Sequence, residues 1–227
     1  MTLATYAELE QGTPEWLAAR CGIVTASVMG QLITPATVKV AKNDYSRGLT
    51  ATLVAERITG HVEPMQVSQA MMRGTLDEPY ARDAYAEHHA PVEEIGFMVK
   101  DFGKYKIGYS PDGLVGDNGL IEIKSRAQKK HLQTILADEV PLENMAQLQT
   151  GLLVSGRAWI DYVSFCSGMP LWTKRVEPSA KWFDAITDAA LTFETNAAEM
   201  LSTYATATKN LPPTERLDHF GEMEITF

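Results

Sequence analysis

The 227-residue chain has only two cysteines, Cys21 and Cys166, which excludes a disulfide framework and a four-thiolate iron–sulfur cluster. Neither cysteine stands at a zinc-ligand spacing, so both read as reduced thiols. No run of about 18 apolar residues is present to span a bilayer. The opening Met1-Thr2-Leu3-Ala4-Thr5 lacks the basic and apolar regions of a signal peptide, and a cytosolic protein is expected. Repeats, low-complexity tracts and Gly/Ser-rich linkers are absent as well, which predicts one globular domain over residues 1–227. Positive charge is scarce, at a formal net −9. That argues against a protein that coats nucleic acid, because non-specific affinity comes mainly from Lys and Arg neutralising phosphates. An acidic chain can still hold DNA where its basic residues gather on one surface and divalent metal covers its carboxylates.

What is present divides into three stretches. Up to about His89 the pattern is helical: Thr13 with Pro14 behind it can open one helix, and Ser46 can cap another that ends near Gly60. Strands are expected over 93–100, 104–110 and 119–125, with Pro111-Asp112-Gly113 and Asp117-Asn118-Gly119 as turns, in the manner of a meander. A helix over 143–155 stopped by Gly156, strands over 158–166 and 171–177, and a long helix over 179–207 complete the pattern. The segment 209–227, with Pro212-Pro213, has no period and is expected to wrap the surface or fray. Strands in the middle with helices on both sides predict an α/β fold.

The chemistry concentrates in the middle stretch. In Gly119-Leu120-Ile121-Glu122-Ile123-Lys124-Ser125 the strand period puts Leu120, Glu122 and Lys124 on one face and Ile121 and Ile123 on the other. A carboxylate and an amine thus project side by side from an anchored strand. Alone, such a pair is usually a solvated ion pair. Asp112, in a Pro-Asp-Gly turn ten positions earlier, changes its meaning, because a hairpin would bring it to Glu122. Two carboxylates and the Ile123 carbonyl make the all-oxygen set that Mg²⁺ prefers.

The resulting PD-x9-ExK pattern resembles the PD-(D/E)xK nuclease superfamily and, within it, the phage lambda exonuclease family. Glu15-Trp16 through Arg20 with Gly22-Ile23-Val24-Thr25-Ala26-Ser27 resembles that family's amino-terminal motif, Arg73-Gly74 through Glu78 its helical glutamate motif, and Met145-Ala146-Gln147-Leu148-Gln149 follows in order. The resemblance implies a restriction-endonuclease-like core, a central mixed β-sheet flanked by helices. It implies a Mg²⁺-dependent 5′→3′ exonuclease that digests one strand of duplex DNA to mononucleotides, with two ions per site and Mn²⁺ as a substitute. A homotrimeric ring, double-stranded DNA ends as substrate, a phage single-strand annealing protein as partner and a phage or prophage origin follow in the same way. An endonuclease or junction resolvase on the same fold, and a catalytically silent DNA-end-binding module, are the other readings.

Residue by residue, the resemblance implies that Asp112, Glu122 and Glu78 bind metal with the Ile123 carbonyl, and that Lys124 orients or deprotonates the attacking water. Arg20, Ser27, Ser110 and Gln147 would bind the 5′-phosphate, and Trp16 and Met71 would wedge the strands apart at the duplex end. Glu78 has a second reading, since Pro79 follows it: either the proline kinks a helix that runs past it, or Asp77 or Glu78 caps a helix that starts there. The sequence departs from related nucleases in places. The basic loop after Ser27 is not clearly reproduced around Lys39 and Lys42, and the QxxxY signature lacks its tyrosine: Gln147 is followed by Gly151, and Gln149 by Leu153. His61, His88, His89, His131 and His219 fit no metal spacing and are expected to be solvated or locally paired.

Overall fold

A computed structural model describes residues 1–64 and 67–217; His219 and the end of the tail lie outside them. Five of the elements carry the site. Helix α1 (Pro14–Arg20) opens with Thr13, whose hydroxyl accepts from the Trp16 amide, and with proline in its first turn. Short strand β2 (Val24–Thr25) follows, after β1 (Thr2–Tyr6) at the start of the chain, and leads into helix α2 (Ala26–Met29). A two-strand hairpin, β3 (Ile33–Thr34) and β4 (Lys39–Val40), precedes helix α3 (Asp44–Thr59). That helix starts before the expected cap at Ser46: Asn43 is the cap and Ser46 the third helical residue, each bonding the other's backbone. Gly60, left-handed at φ 63°, ends it as the sequence predicts.

Helix α4 (Gln69–His88) is capped by Ser68 and continues past Pro79 without interruption, so Glu78 lies inside a helix that runs on past the proline and does not cap one that starts there. Strands β5 (Phe97–Asp101) and β6 (Lys106–Tyr109) form an antiparallel pair, and β7 (Gly113–Val115) and β8 (Gly119–Ser125) another. The meander expected over this stretch is therefore split between two ladders. One runs β1-β5-β6-β2; the other has the order β10-β9-β8-β7, with β9 (Trp159–Phe165) parallel to β8 and β10 (Trp172–Val176) antiparallel to β9. Pro111-Asp112 crosses from the first ladder to the second, and a bridge from Glu93 to Leu114 ties the crossing down. Pairing is thus mixed, as the α/β expectation requires.

Helix α5 (Gln128–Ala137), absent from the sequence expectation, follows β8. Helix α6 (Met145–Ser155) is stopped by Gly156 at φ 74°, and α7 (Ala180–Ala207) matches the long helix expected. Residues 209–217 lie exposed without regular structure. Strand β8 is buried on both faces. Leu120 packs with Leu148, Ile160, Tyr162 and Phe193, while Ile121 and Ile123 pack with Ala81, Tyr85 and Val163. The two apolar clusters clamp the strand between α6 and α7 on one side and α4 on the other, which fixes whatever β8 presents at its end.

Candidate active site

At the end of β8 the period-two rule turns into geometry. Glu122 is 1% exposed, and its Oε1 accepts from the Lys124 amine at 2.6 Å and from the Gln147 amide of α6. Pairing of β7 with β8 stops at Gly113 opposite Ile121, so two residues on the Ile123 amide has no ladder partner from that strand. It donates instead to Asp112 Oδ2 at 2.6 Å. In an extended strand a residue's N–H and C=O leave on the same side, so the Ile123 carbonyl points along the edge where Asp112 sits. The expected hairpin contact between Asp112 and Glu122 is thereby realised through the backbone between them.

Glu78 comes from α4 to the same cleft but is not free: Arg82, one turn on, donates to its Oε1 at 2.5 Å, to the Asp112 carbonyl at 3.0 Å and to Glu94 at 2.8 Å. Arg82 escaped the sequence reading, although its i,i+4 spacing from Glu78 was a usable signal. Burial is the largest cause holding Glu122 up at about 8, with the Asp112 charge adding to it against Lys124. Glu78 is raised to about 7 by burial and Asp112, against Arg82. Asp112 is likewise raised by burial, opposed by Lys124, the Ile123 amide and Arg82. Burial works to lower Lys124, but the charges of Glu122 and Asp112 outweigh it and leave the amine above its ordinary value.

Three buried carboxyl groups with raised affinity for protons, two of them pushed up further by the Asp112 charge, form a site short of positive charge. Glu122 Oε2 is buried without a hydrogen-bond partner. Two carboxylates, a strand-edge carbonyl and this orphan oxygen fit a hard cation that takes oxygen ligands. Among the described residues no three Asp, Glu, His or Cys side chains stand close enough to hold an ion by themselves.

The cleft, about 420 Å³, is lined by Asp112, Glu122, Ile123, Lys124 and Glu78, and also by Arg20, Ser27, Ser110, Gln147, Trp16 and Met71. Every site residue expected from the sequence therefore faces one cavity, although they come from five different elements and a crossover. Arg20 lies over the Trp16 ring at 4.4 Å, the Trp16 indole donates to Ser110 Oγ at 3.0 Å, and the Thr25 and Ser27 hydroxyls are 3.1 Å apart. Trp16 is buried as part of the wall, whereas Met71 is 43% exposed on the first turn of α4. Thr25 and Tyr109 also line the cavity, and the sequence motifs give neither of them a role. Lys39 and Lys42 are exposed outside it. His131 is buried and bonded to Ser164 and the Pro170 carbonyl, a local pairing as expected.

A strand-end lysine and glutamate opposite a turn aspartate, on a mixed sheet flanked by helices, define a site of the PD-(D/E)xK type on a restriction-endonuclease-like fold. The chain belongs to the family of the YqaJ-like viral recombinase domain, whose model matches residues 15–158, and so to the lambda exonuclease group that its motifs resemble. Among solved structures it is similar to an alkaline exonuclease (LHK-Exo) from Laribacter hongkongensis, at 32% identity over 88% of this chain and 100% of that one, with a TM-score of 0.78. The same enzyme in complex with dAMP matches at 32% identity with a TM-score of 0.77, again over 88% of this chain and 100% of that one. A phage related exonuclease from Haemophilus somnus 129PT shares the fold, with a TM-score of 0.62 at 12% identity over 80% of this chain and 96% of that one. No curated protein matches the chain.

Proposed function

We propose that this protein is a Mg²⁺-dependent 5′→3′ exodeoxyribonuclease that digests one strand of duplex DNA from a 5′-phosphorylated end, releases mononucleotides and leaves a 3′ overhang for phage-type recombination. The observation that carries the reading is the meeting of Asp112, Glu122 and Lys124 with Arg20, Ser27, Ser110 and Gln147 in one cleft. An exonuclease needs this combination of a hydrolytic centre and a nearby receptor for the terminal phosphate. The similarity to an alkaline exonuclease supports it. Asp112, Glu122, the Ile123 carbonyl and Glu78 would hold two Mg²⁺, or Mn²⁺ in their place. Bound there, the ions would stabilise the attacking and leaving oxygens of an in-line displacement at phosphorus.

The chain's own residues do the rest. Arg20, backed by Trp16, and the Ser27 and Ser110 hydroxyls bind the terminal phosphate through charge-assisted hydrogen bonds. Met71, exposed on α4, would separate the strands at the duplex end. Glu122 and Asp112 hold the Lys124 ammonium charged. In its neutral form, favoured as pH rises and where cation would offset those charges, Lys124 takes the proton of the attacking water.

A homotrimeric ring in the cytoplasm of a bacterial host, threaded by DNA and partnered by a single-strand annealing protein, completes the proposal. A ring would keep an acidic chain on its substrate by topology. The test uses linear duplexes with 5′-phosphate or 5′-hydroxyl ends, and a closed circle, incubated with Mg²⁺ or with Ca²⁺. Mononucleotide release from the 5′-phosphate duplex in Mg²⁺ alone is expected, with a rate that rises toward alkaline pH. Cleavage of the circle would instead identify an endonuclease. Replacing Lys124 by Ala should lower kcat by about 10²-fold or more without loss of fold; a K124A protein as active as wild type would sink the assignment.

A further inference from the structure

Two buried side-chain atoms among the described residues lack any hydrogen-bond partner, Glu122 Oε2 and the hydroxyl of Tyr109. One is an acceptor, the other a donor, and both residues line the same cleft. Leaving such groups unpaired is unfavourable, and in native proteins each calls for an explanation. Tyr109 ends strand β6 and is 1% exposed. Its ring lies against α6 at Gly151: a Cβ there would come within 2.7 Å of the ring's Cζ and 3.0 Å of the hydroxyl oxygen. Gly151 follows Gln147 by one helical turn, and Gln147 is the residue that donates to the other oxygen of Glu122. The missing side chain at 151 is what admits the ring. In the QxxxY signature the tyrosine would stand at this position; here a phenol fills the space from the neighbouring strand.

We propose that Tyr109 is a positioning residue for the reaction, donating its hydroxyl to Glu122 Oε2 in the working site and supplying from β6 the phenol that the signature places on the helix. As the site stands, Lys124 and Gln147 both hold the carboxylate by Oε1, and Oε2 is left without a donor. A DNA phosphate would compete for the Lys124 amine, and a cation for the oxygen itself; either would let Glu122 turn toward Tyr109. With Gln147 on one oxygen and Tyr109 on the other, the carboxylate is fixed by two neutral donors. The inference rests on the nuclease reading above.

Tyr109→Phe keeps the ring and removes the donor. Its metal-free melting temperature should equal or exceed that of wild type, since the deleted hydroxyl has no partner there. The kcat on a 5′-phosphorylated duplex should fall about ten-fold with KM unchanged, the size expected for one hydrogen bond to a charged group. Calorimetric affinity for Ca²⁺ should fall several-fold. Gly151→Ala displaces the phenol without deleting it and should give the same loss of kcat. Wild-type kcat and Ca²⁺ affinity in Y109F, or a lowered metal-free melting temperature, would reduce Tyr109 to packing and overturn the proposal. If wild type digests no duplex, the nuclease reading fails by itself, and the Ca²⁺ titration alone decides the role of Tyr109.

Discussion

At the scale of single residues, the carboxyl of Glu122 shows how the fold turns an ordinary side chain into an unusual one. Strand pairing carries it into the interior, and its proton is retained to about pH 8, against 4.5 for an unburied carboxyl. The folded chain therefore binds more protons than the unfolded one between those values, so the Glu122 contribution to stability is present at low pH and is lost as pH rises through about 8. Glu78 acts in the same direction up to about 7. In chelator, wild type should lose of order 2 kcal/mol relative to Glu122→Gln between about pH 5.5 and 8.5, or roughly 4–8 °C in Tm. Added Mg²⁺ should restore the loss in wild type and not in the variant. Parallel melting curves for the two proteins in chelator would contradict the buried, charge-starved site.

At the scale of elements, Arg82 joins α4 to the crossover between the two ladders. It bonds Glu78 on its own helix, the Asp112 carbonyl on the crossover and Glu94 beyond it. Replacing it by Ala leaves the half-buried Glu78 unpaired and the crossover untied. The expected cost is about 2–3 kcal/mol in urea unfolding, together with at least a ten-fold loss of nuclease activity as Asp112 loses its register with Ile123. An R82A protein that unfolds like wild type would show that β7 and the Glu93 bridge hold the crossover unaided. The same region shows the limit of reading elements from sequence. Ser46 has the chemistry of a cap, but Asn43 lies three residues before it and the two complete a reciprocal box, so the helix starts earlier. The strands around Pro111-Asp112-Gly113 have the periodicity of a meander, and periodicity carries no information about which strand pairs with which. Proline at 79 left two helices possible; the cap at Ser68 and the helical turns before Pro79 show one continuous helix.

For the whole molecule, the amino-terminal and carboxy-terminal parts are locked by Arg57. Its guanidinium makes a two-pronged pair with Glu194 of α7 at 2.7 and 2.8 Å and also donates to the Gly22 carbonyl at 2.7 Å, beside the loop that leads to Thr25 and Ser27. Both side chains are about a quarter exposed, which moderates the strength of the pair. Arg57→Ala should lower unfolding free energy by about 1–3 kcal/mol and should weaken discrimination between 5′-phosphate and 5′-hydroxyl ends before it affects kcat. A variant that unfolds earlier yet keeps full 5′-phosphate preference would separate the lock from the phosphate pocket.

The sequence by itself determined the chemistry of this protein: Asp112, Glu122 and Lys124 are close along the chain, and alternation along one strand, a local property, is enough to put the last two on one face. Motif order added Glu78, Arg20, Ser27, Ser110 and Gln147, and the cleft gathers all of them. Tertiary structure alone decided the environment those groups meet. That Arg82 ties α4 to the Asp112 carbonyl, that Trp16 is a wall backed by Ser110, and that Tyr109 fills the space over Gly151 depend on contacts between residues 30 to 94 positions apart. Burial and hydrogen bonding across such distances are set by how sheets and helices pack, and no short-range pattern in a chain encodes them.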